Sequence, residues 1–561
     1  MKRFRRFFWF FGVWTIPIGT LLAFLYSLII LNIKKMLNYI SLSSKRISLE
    51  KWDYLIMLGI IIGLMVIVTL NNCRKKFIIG EKEFNPLSNL SPTRISEDKR
   101  KAQRHPPPRE YLSKVPNGYT LGRRFGKYVR IPFLSSPEHQ LIIGAPGSNK
   151  STVTLNAIIW NFNFEEKAKR FRSLLAIDCK EELSRLTVNI RNKYVKIINP
   201  SKKNTTGFDV YYGLTQESTD DEVKERCDTI ARTLIVNVGG HNSFFYVAAQ
   251  KILCALLMYG FRKNISFIDM ILRILSVPCE DLIAEIIADQ EMKKHPKITG
   301  LVKVFDGKDS DAFQDVTMTL QQDLSIFDTD TIKACLSPNN PDIVTPNDLV
   351  KGNSIFLAIP DHLLQMYSPV FRMIIQLCLK HIVSIPEYQD TDNRPIWFLI
   401  DEAGSIGPIP DLINEGLPRA RSKHVQVSLI CQSFGQLEET YGQTGARSIL
   451  DCCKTTIVFS CNDTRTSEIL SKWTGMYRET KISSQQRGTI MSDISSQNIS
   501  SEFRPVMDIS DIKNLEKNDE VLVFVKGSWF LVEKAPYYKI KLLKEKSAQI
   551  AEINNKVYRG E

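Results

Sequence analysis

The run Gly144-Ala-Pro-Gly147-Ser-Asn149-Lys150-Ser151 follows a short apolar segment, Gln140–Ile143, and opens a helical pattern over Thr152–Phe162. A strand that ends in a glycine-rich turn and passes straight into a helix gathers backbone N–H groups and a helix N-terminus at one point. Phosphate oxygens bind at such a point. Lys150 stands where it reaches the β- and γ-phosphates of a nucleotide, and the Ser151 hydroxyl is a ligand for Mg²⁺. The usual pattern, G-x-x-x-x-G-K-[ST], has glycine where this chain has Asn149. Asparagine is among the few residues that accept φ > 0, so the loop can form. The candidate nucleotide-binding residues are therefore Gly144, Ala145, Pro146, Gly147, Ser148, Asn149, Lys150, Ser151 and Thr152, with ATP and Mg²⁺ as the implied cofactors.

Strand-like runs recur along the chain: Tyr119–Leu121, Tyr128–Phe133, Leu174–Asp178, Tyr194–Asn199, Ser354–Pro360, Ile396–Asp401, Val425–Cys431, Thr455–Ser460, Val521–Val525 and Trp529–Val532. Most of the earlier ones are apolar throughout, as in parallel strands buried on both faces. Two of them end in chemistry. Pro395-Ile-Trp-Phe-Leu-Ile400 delivers Asp401 and Glu402 to a strand terminus. There Asp401 joins the Mg²⁺ shell and Glu402 polarises the attacking water. The run Val425–Cys431 ends in Gln432, placed to sense the γ-phosphate, although a strand-end glutamine is more often a plain turn former. Eleven residues before it lies Arg421, either a solvated arginine or a finger into a neighbour's site.

Helical patterns lie between the strands, so the class is α/β. From Asn199 to Ser354 no strand is predicted; that stretch reads as helices over Asp221–Val236, Phe244–Phe261, Phe267–Leu275, Glu280–Gln290 and Ala312–Leu324. Residues 215–345 form an all-helical insert in a nucleotide-binding domain of residues 118–214 and 346–545. A polar linker with a proline run covers 81–117, and a C-terminal tail covers 546–561.

The net charge of +14 suggests a nucleic-acid partner until its position is considered. Residues 1–80 hold twelve Lys/Arg against Glu50 and Asp53, which accounts for ten of the fourteen charges. That excess flanks two uncharged runs, Phe7–Ile33 and Tyr54–Leu70, where anionic lipid attracts it. The first run is long enough to span a bilayer with tilt and the second sits at the short end of the range. A signal peptide has a shorter core and a small-residue cleavage site, so residues 1–80 read as a two-helix anchor. The loop between the runs is itself basic, and charge orients the pair only weakly. A cytoplasmic nucleotide domain places the N-terminus inside. The 11 cysteines are scattered without CxxC spacing, as reduced structural thiols are.

This order of parts resembles the TraG/TraD family, the coupling proteins of type IV secretion and conjugation. The resemblance rests on two N-terminal helices, the phosphate loop, LLAIDCKEEL, the helical insert, FLIDEAGSIGPIPDLINEGLPRARSKHVQVSLICQSFGQLEETYG, LSKWTG and the closing VLVFVKGSWFLVEKAPYYK. It covers residues 1 to about 540. It implies a RecA-like ATPase assembled as a homo-hexamer in the bacterial inner membrane, with the helical unit facing the cytoplasm. It also implies binding of single- or double-stranded DNA and delivery of a relaxase–DNA complex or effector proteins to a secretion channel. Lys150 and Ser151 map to Walker A, Asp401 and Glu402 to Walker B, Gln432 to the sensor and Arg421 to the finger. The chain departs from the family pattern at Asn149, and at Glu181, where the D-x-K-G-E stretch has glycine. Two alternatives remain. One is a DNA translocase of the FtsK/HerA type, which usually carries more membrane spans and a C-terminal DNA-reading domain. The other is a receptor or scaffold that binds nucleotide with little hydrolysis.

Overall fold

Each predicted apolar run that lies in the described residues becomes a strand, and twelve strands join in one sheet. The computed structural model describes residues 105–131, 138–162, 172–186, 195–237, 243–306, 311–386, 394–485, 496–525 and 527–559. The two N-terminal apolar runs and most of the linker lie outside them. The sheet's parallel part is built from β4 (His139–Ile143), β5 (Ser173–Asp178), β6 (Val195–Ile198), β9 (Ser354–Ala358), β10 (Ile396–Ile400), β11 (Val425–Cys431) and β12 (Cys453–Val458). Their order is β12-β4-β11-β10-β5-β9-β6. An antiparallel flank continues from β12 through β15 (Glu520–Val525), β16 (Ser528–Lys534), β2 (Tyr119–Arg124), β3 (Lys127–Ile131) and β1 (Leu112–Ser113).

Every residue of β4, β5, β9, β10 and β11 is buried, because helices cover both faces. Successive side chains point to opposite faces of a strand, so each strand feeds two cores. Leu141, Ile143, Leu175, Phe398 and Leu429 join one core. Ile142, Leu174, Trp397, Leu399 and Ile430 join the other, beneath the helix Lys150–Phe162. That second core also takes Leu543 and Ile550 of a C-terminal helix, Lys541–Arg559. Residues 546–561, read above as a tail, are thus mostly helical, and Ile550 is buried.

Between β6 and β9 the chain is helical, including Asp220–Leu234, Ser243–Arg262, Phe267–Ser276, Cys279–Ala288 and Asp311–Leu324. Two short strands missed from the sequence, β7 (Gly207–Phe208) and β8 (Ile343–Val344), pair in parallel and bracket these helices. Two residues are too few to carry a period of two. A ribbon of β13 (Met476–Gln485) and β14 (Ser496–Pro505) also escaped prediction, since it is polar and lacks apolar alternation. Among the described residues one helix, Ser243–Arg262, is long and apolar enough to cross a membrane. Most of its apolar stretch is buried inside the protein, as in the central helix of a helical unit. The ten described cysteines are unpaired and nearly all buried, as structural thiols are.

Candidate nucleotide-binding site

β4 delivers Gly144 to the carboxyl edge of the parallel sheet. The Gly144 N–H donates to Cys431 O at 3.0 Å, and the Ala145 N–H donates to Ser460 Oγ at 3.0 Å. The turn is tight. A Cβ on Gly144 would lie 2.6 Å from Ser148 Oγ and 3.3 Å from Phe459 Cβ, so a larger residue would have to push the buried Ser148 side chain aside. Gly147 has φ +84° and Asn149 φ +67°. The asparagine therefore stands in the left-handed region that glycine usually fills. The helix Lys150–Phe162 starts on the next residue.

Lys150 is buried. Its Nζ donates to Gly144 O at 3.1 Å and lies 3.0 Å from Glu402 Oε1. The second Glu402 oxygen accepts from Gln432 Nε2 at 3.3 Å. Residues 252 and 30 positions from Glu402 in sequence thus meet on one carboxylate. Glu402 has φ +51° and caps a four-residue helix, Ala403–Ile406, which ends at Gly407 with φ +82°. Arg372, mostly buried, donates to Ile406 O at 3.2 Å and holds that end. Gln436 supports the other side: its Oε1 accepts from the Gln432 N–H at 2.9 Å. A Cβ on Gly404 would come within 2.3 Å of the Gln436 side chain, so glycine makes that approach possible.

Asp401 Oδ1 accepts from the Glu402 N–H at 3.0 Å. Burial, followed by the neighbouring Glu402 carboxylate, pushes the Asp401 carboxyl up to about 6, against the opposing pull of Lys150. Among the described residues no three His, Cys, Asp or Glu side chains cluster closely enough to hold a metal unaided. A hydroxyl (Ser151) and one carboxylate (Asp401) fit an ion that draws its remaining oxygens from water and phosphate, as Mg²⁺ does.

Nearby, the Asp178 carboxylate accepts from the N–H groups of Leu183 and Ser184 at 3.2 and 2.8 Å, and from Ser184 Oγ at 2.7 Å. Glu181 has φ +52°, which explains why glycine is usual at that place. Its side chain is tied to Asn199 Nδ2 at 3.1 Å and Lys202 Nζ at 2.7 Å.

Arg421 does not join the cluster. It opens a turn, Arg421–Lys423, ahead of β11, whereas Gln432 follows β11. Seven strand residues at about 3.3 Å each put roughly 20 Å between the two ends. The arginine is exposed at the amino edge of the sheet. His139, on β4, locks the approach to it. The Val427 N–H donates to His139 Nδ1 at 3.1 Å, so Nε2 carries the proton that is donated to Leu417 O at 2.8 Å. Burial holds this imidazole below its ordinary value of 6.5. The unfolded chain therefore binds the extra proton more readily, and stability falls as pH drops below about 6.5. In His139→Phe the acid limb of a thermal-unfolding profile should flatten. An unchanged acid limb would remove His139 from that role.

Four supporting residues were not legible beforehand: Ser460, Gln436, His139 and Lys534, whose Nζ donates to Ser148 O. Only Ser460 had a signal, as the last residue of a predicted strand.

A RecA-like α/β unit with a glycine-rich strand-to-helix turn, a strand-end carboxylate pair and a helical insert defines the class. Residues 96–560 match the family described as Type IV secretory system Conjugative DNA transfer, and the chain belongs to that family. It is 24% identical over 347 residues to the type IV secretion system-coupling protein VirD4 of Bartonella henselae, covering 60% of this chain and 53% of that protein. With the coupling protein TraD of Escherichia coli K12 it shares 30% identity over 117 residues, 21% of this chain and 16% of TraD. The chain spans about half the length of the VirD4 relatives it matches. In fold it is similar to the plasmid coupling protein TrwB solved with ADP and Mg²⁺. There the TM-score is 0.56 at 16% identity, over 79% of this chain and 91% of that one. TrwB solved with the ATP analogue ADPNP gives 0.57 at 17% identity, over 78% and 92%.

Proposed function

We propose that this chain is the ATP-hydrolysing coupling protein of a type IV secretion or conjugation system. It works as a homo-hexameric motor that recruits a relaxase–DNA complex, effector proteins or both, and drives them to the membrane channel. The observation that carries the reading is the convergence of Lys150, Glu402 and Gln432 at the carboxyl ends of β4, β10 and β11. Family membership supports the cargo class, and the ligands named for TrwB support ATP with Mg²⁺. The division into a nucleotide-binding domain (118–214 and 346–545) and an all-helical insert (215–345) belongs to the same proposal. So does a two-pass anchor in residues 1–80, with spans at 7–33 and 54–70 in the bacterial inner membrane and the motor in the cytoplasm.

Lys150 turns from Glu402 to the β- and γ-phosphate oxygens when ATP enters. Glu402 is then free to take a proton from the attacking water, with Gln432 keeping its second oxygen in place. Ser151 and Asp401 are the residues that would hold Mg²⁺, whose chemistry there would be to offset charge developing on the transferred phosphoryl group. Glu402→Gln tests the arrangement. The amide keeps the shape but takes no proton, so phosphate release should fall by about 10²-fold or more. ATP binding should persist or tighten, because the carboxylate that competes for Lys150 is gone. If binding disappeared with hydrolysis, Glu402 would be a structural or metal-holding group.

A further inference from the structure

Lys534 is the last residue of β16, opposite Gly122 on β2, and only 2% of it is exposed. A side chain at Gly122 would collide with Glu533 O at 1.8 Å, so glycine lets β2 close over this place. The Lys534 Nζ donates to Ser148 O at 3.4 Å and lies 6.0 Å from the centroid of the Phe459 ring. Among the described ion pairs none involves it. Burial lowers its pKa, and Asp519 and Glu516 act on it only at a distance. An ammonium buried without a carboxylate is costly, and a packed apolar side chain would be cheaper. Packing alone therefore does not account for a lysine here.

The carbonyl it grips belongs to the peptide between Ser148 and Asn149. In a planar trans peptide the C=O and the following N–H point to opposite sides. A Ser148 carbonyl held toward the buried Lys534 turns the Asn149 N–H toward the exposed side of the loop, where phosphate would lie. Asn149 makes this orientation precarious. Its φ is +67°, and flipping that one peptide would carry it to negative φ, which every residue but glycine prefers. The flipped peptide would aim a carbonyl at the phosphate and withdraw a donor. The Ser148 hydroxyl offers no second hold, since Oγ is buried without a partner among the described residues.

We infer that Lys534 is a positioning residue of the phosphate loop, holding the Ser148–Asn149 peptide in its phosphate-binding orientation against the intrinsic preference of Asn149. The inference rests on the nucleotide reading above and adds to it how a loop without its usual glycine stays competent.

The test measures the dissociation constant of a fluorescent ATP analogue for the full chain, with thermal unfolding as a check on folding. Lys534→Met should fold and bind the analogue roughly tenfold more weakly or worse, the scale of one hydrogen bond from a charged group. Lys534→Arg should retain most of the affinity. The decisive variant combines Lys534→Met with Asn149→Gly. Glycine has no preference against φ > 0, so most of the lost affinity should return. A purely structural lysine would not be rescued from position 149. If Lys534→Met misfolds, Lys534→Gln, too short to reach the carbonyl, carries the same expectation and the same rescue. Wild-type affinity in folded Lys534→Met would overturn the inference, as would a loss that Asn149→Gly leaves uncorrected. If the wild-type chain and Lys150→Ala both fail to bind the analogue, the nucleotide reading falls and takes this role with it.

Discussion

On the function proposed, Lys150→Ala should reduce ATP hydrolysis to background while the protein stays folded and held by its proposed anchor. The ammonium is buried at the start of the helix Lys150–Phe162 and touches two oxygens, Gly144 O and Glu402 Oε1. Its removal takes away the positive side chain that, on the proposed reading, turns to the phosphates. A preorganised donor facing charge that develops in the transition state is worth about 10²–10³ in rate, and here ground-state binding is lost as well. The apolar core beneath, Val153, Leu155 and Ile158, is untouched. Phosphate release by the reconstituted full chain is one measurement, and resistance to alkaline extraction from membranes is the control. Near-normal turnover would sink the phosphate-loop assignment. Turnover lost together with membrane integration would point to misfolding, which a thermal-unfolding profile separates.

How much of this site could be read beforehand depends on where each contact comes from. Residues that act within one strand–turn–helix segment were legible. Gly144 to Thr152 announce themselves because phosphate binding needs consecutive backbone groups. Asp401 and Glu402 do so because a buried apolar strand must end where charge can be solvated or paired. The two departures from the family pattern became intelligible from backbone angles. Asn149 and Glu181 both have positive φ, so each stands in the left-handed conformation that glycine adopts without strain. Residues that act across the sheet were not legible. Lys534 lies 386 positions from Ser148, and Ser460 lies 315 from Ala145. Their proximity is a matter of strand order, with β12 inserted between β4 and the hairpin of β15 and β16. No local periodicity encodes that order. The polar ribbon of β13 and β14 escaped for a related reason: its strands satisfy each other's backbone groups, and their sequences are too polar to alternate.

Arg421→Ala should lose hydrolysis by ~10³-fold or more if it acts as a finger, while each protomer still binds nucleotide normally. Two features of the fold support action on a neighbour. Arg421 stands at the opposite end of β11 from Gln432, a distance of roughly 20 Å that no arginine side chain spans. It therefore cannot reach the phosphate loop of its own chain. It is also exposed and held on a braced turn, with His139 fixing Leu417 four residues earlier. A guanidinium presents fixed donors that match phosphate oxygens in pairs, which lysine does not reproduce, so Arg421→Lys should recover little. The measurement that separates a finger from a solvated arginine mixes Arg421→Ala with Lys150→Ala protomers, each inactive alone. Where the two meet in a ring, the intact loop of an Arg421→Ala protomer faces the intact arginine of its Lys150→Ala neighbour, and hydrolysis should partly return. The recovered rate should rise and fall with the mixing ratio and peak when both variants are abundant. Mixed rings that form at every ratio and never hydrolyse ATP would leave Arg421 a surface residue. The transition-state cation would then have to come from elsewhere in the assembly.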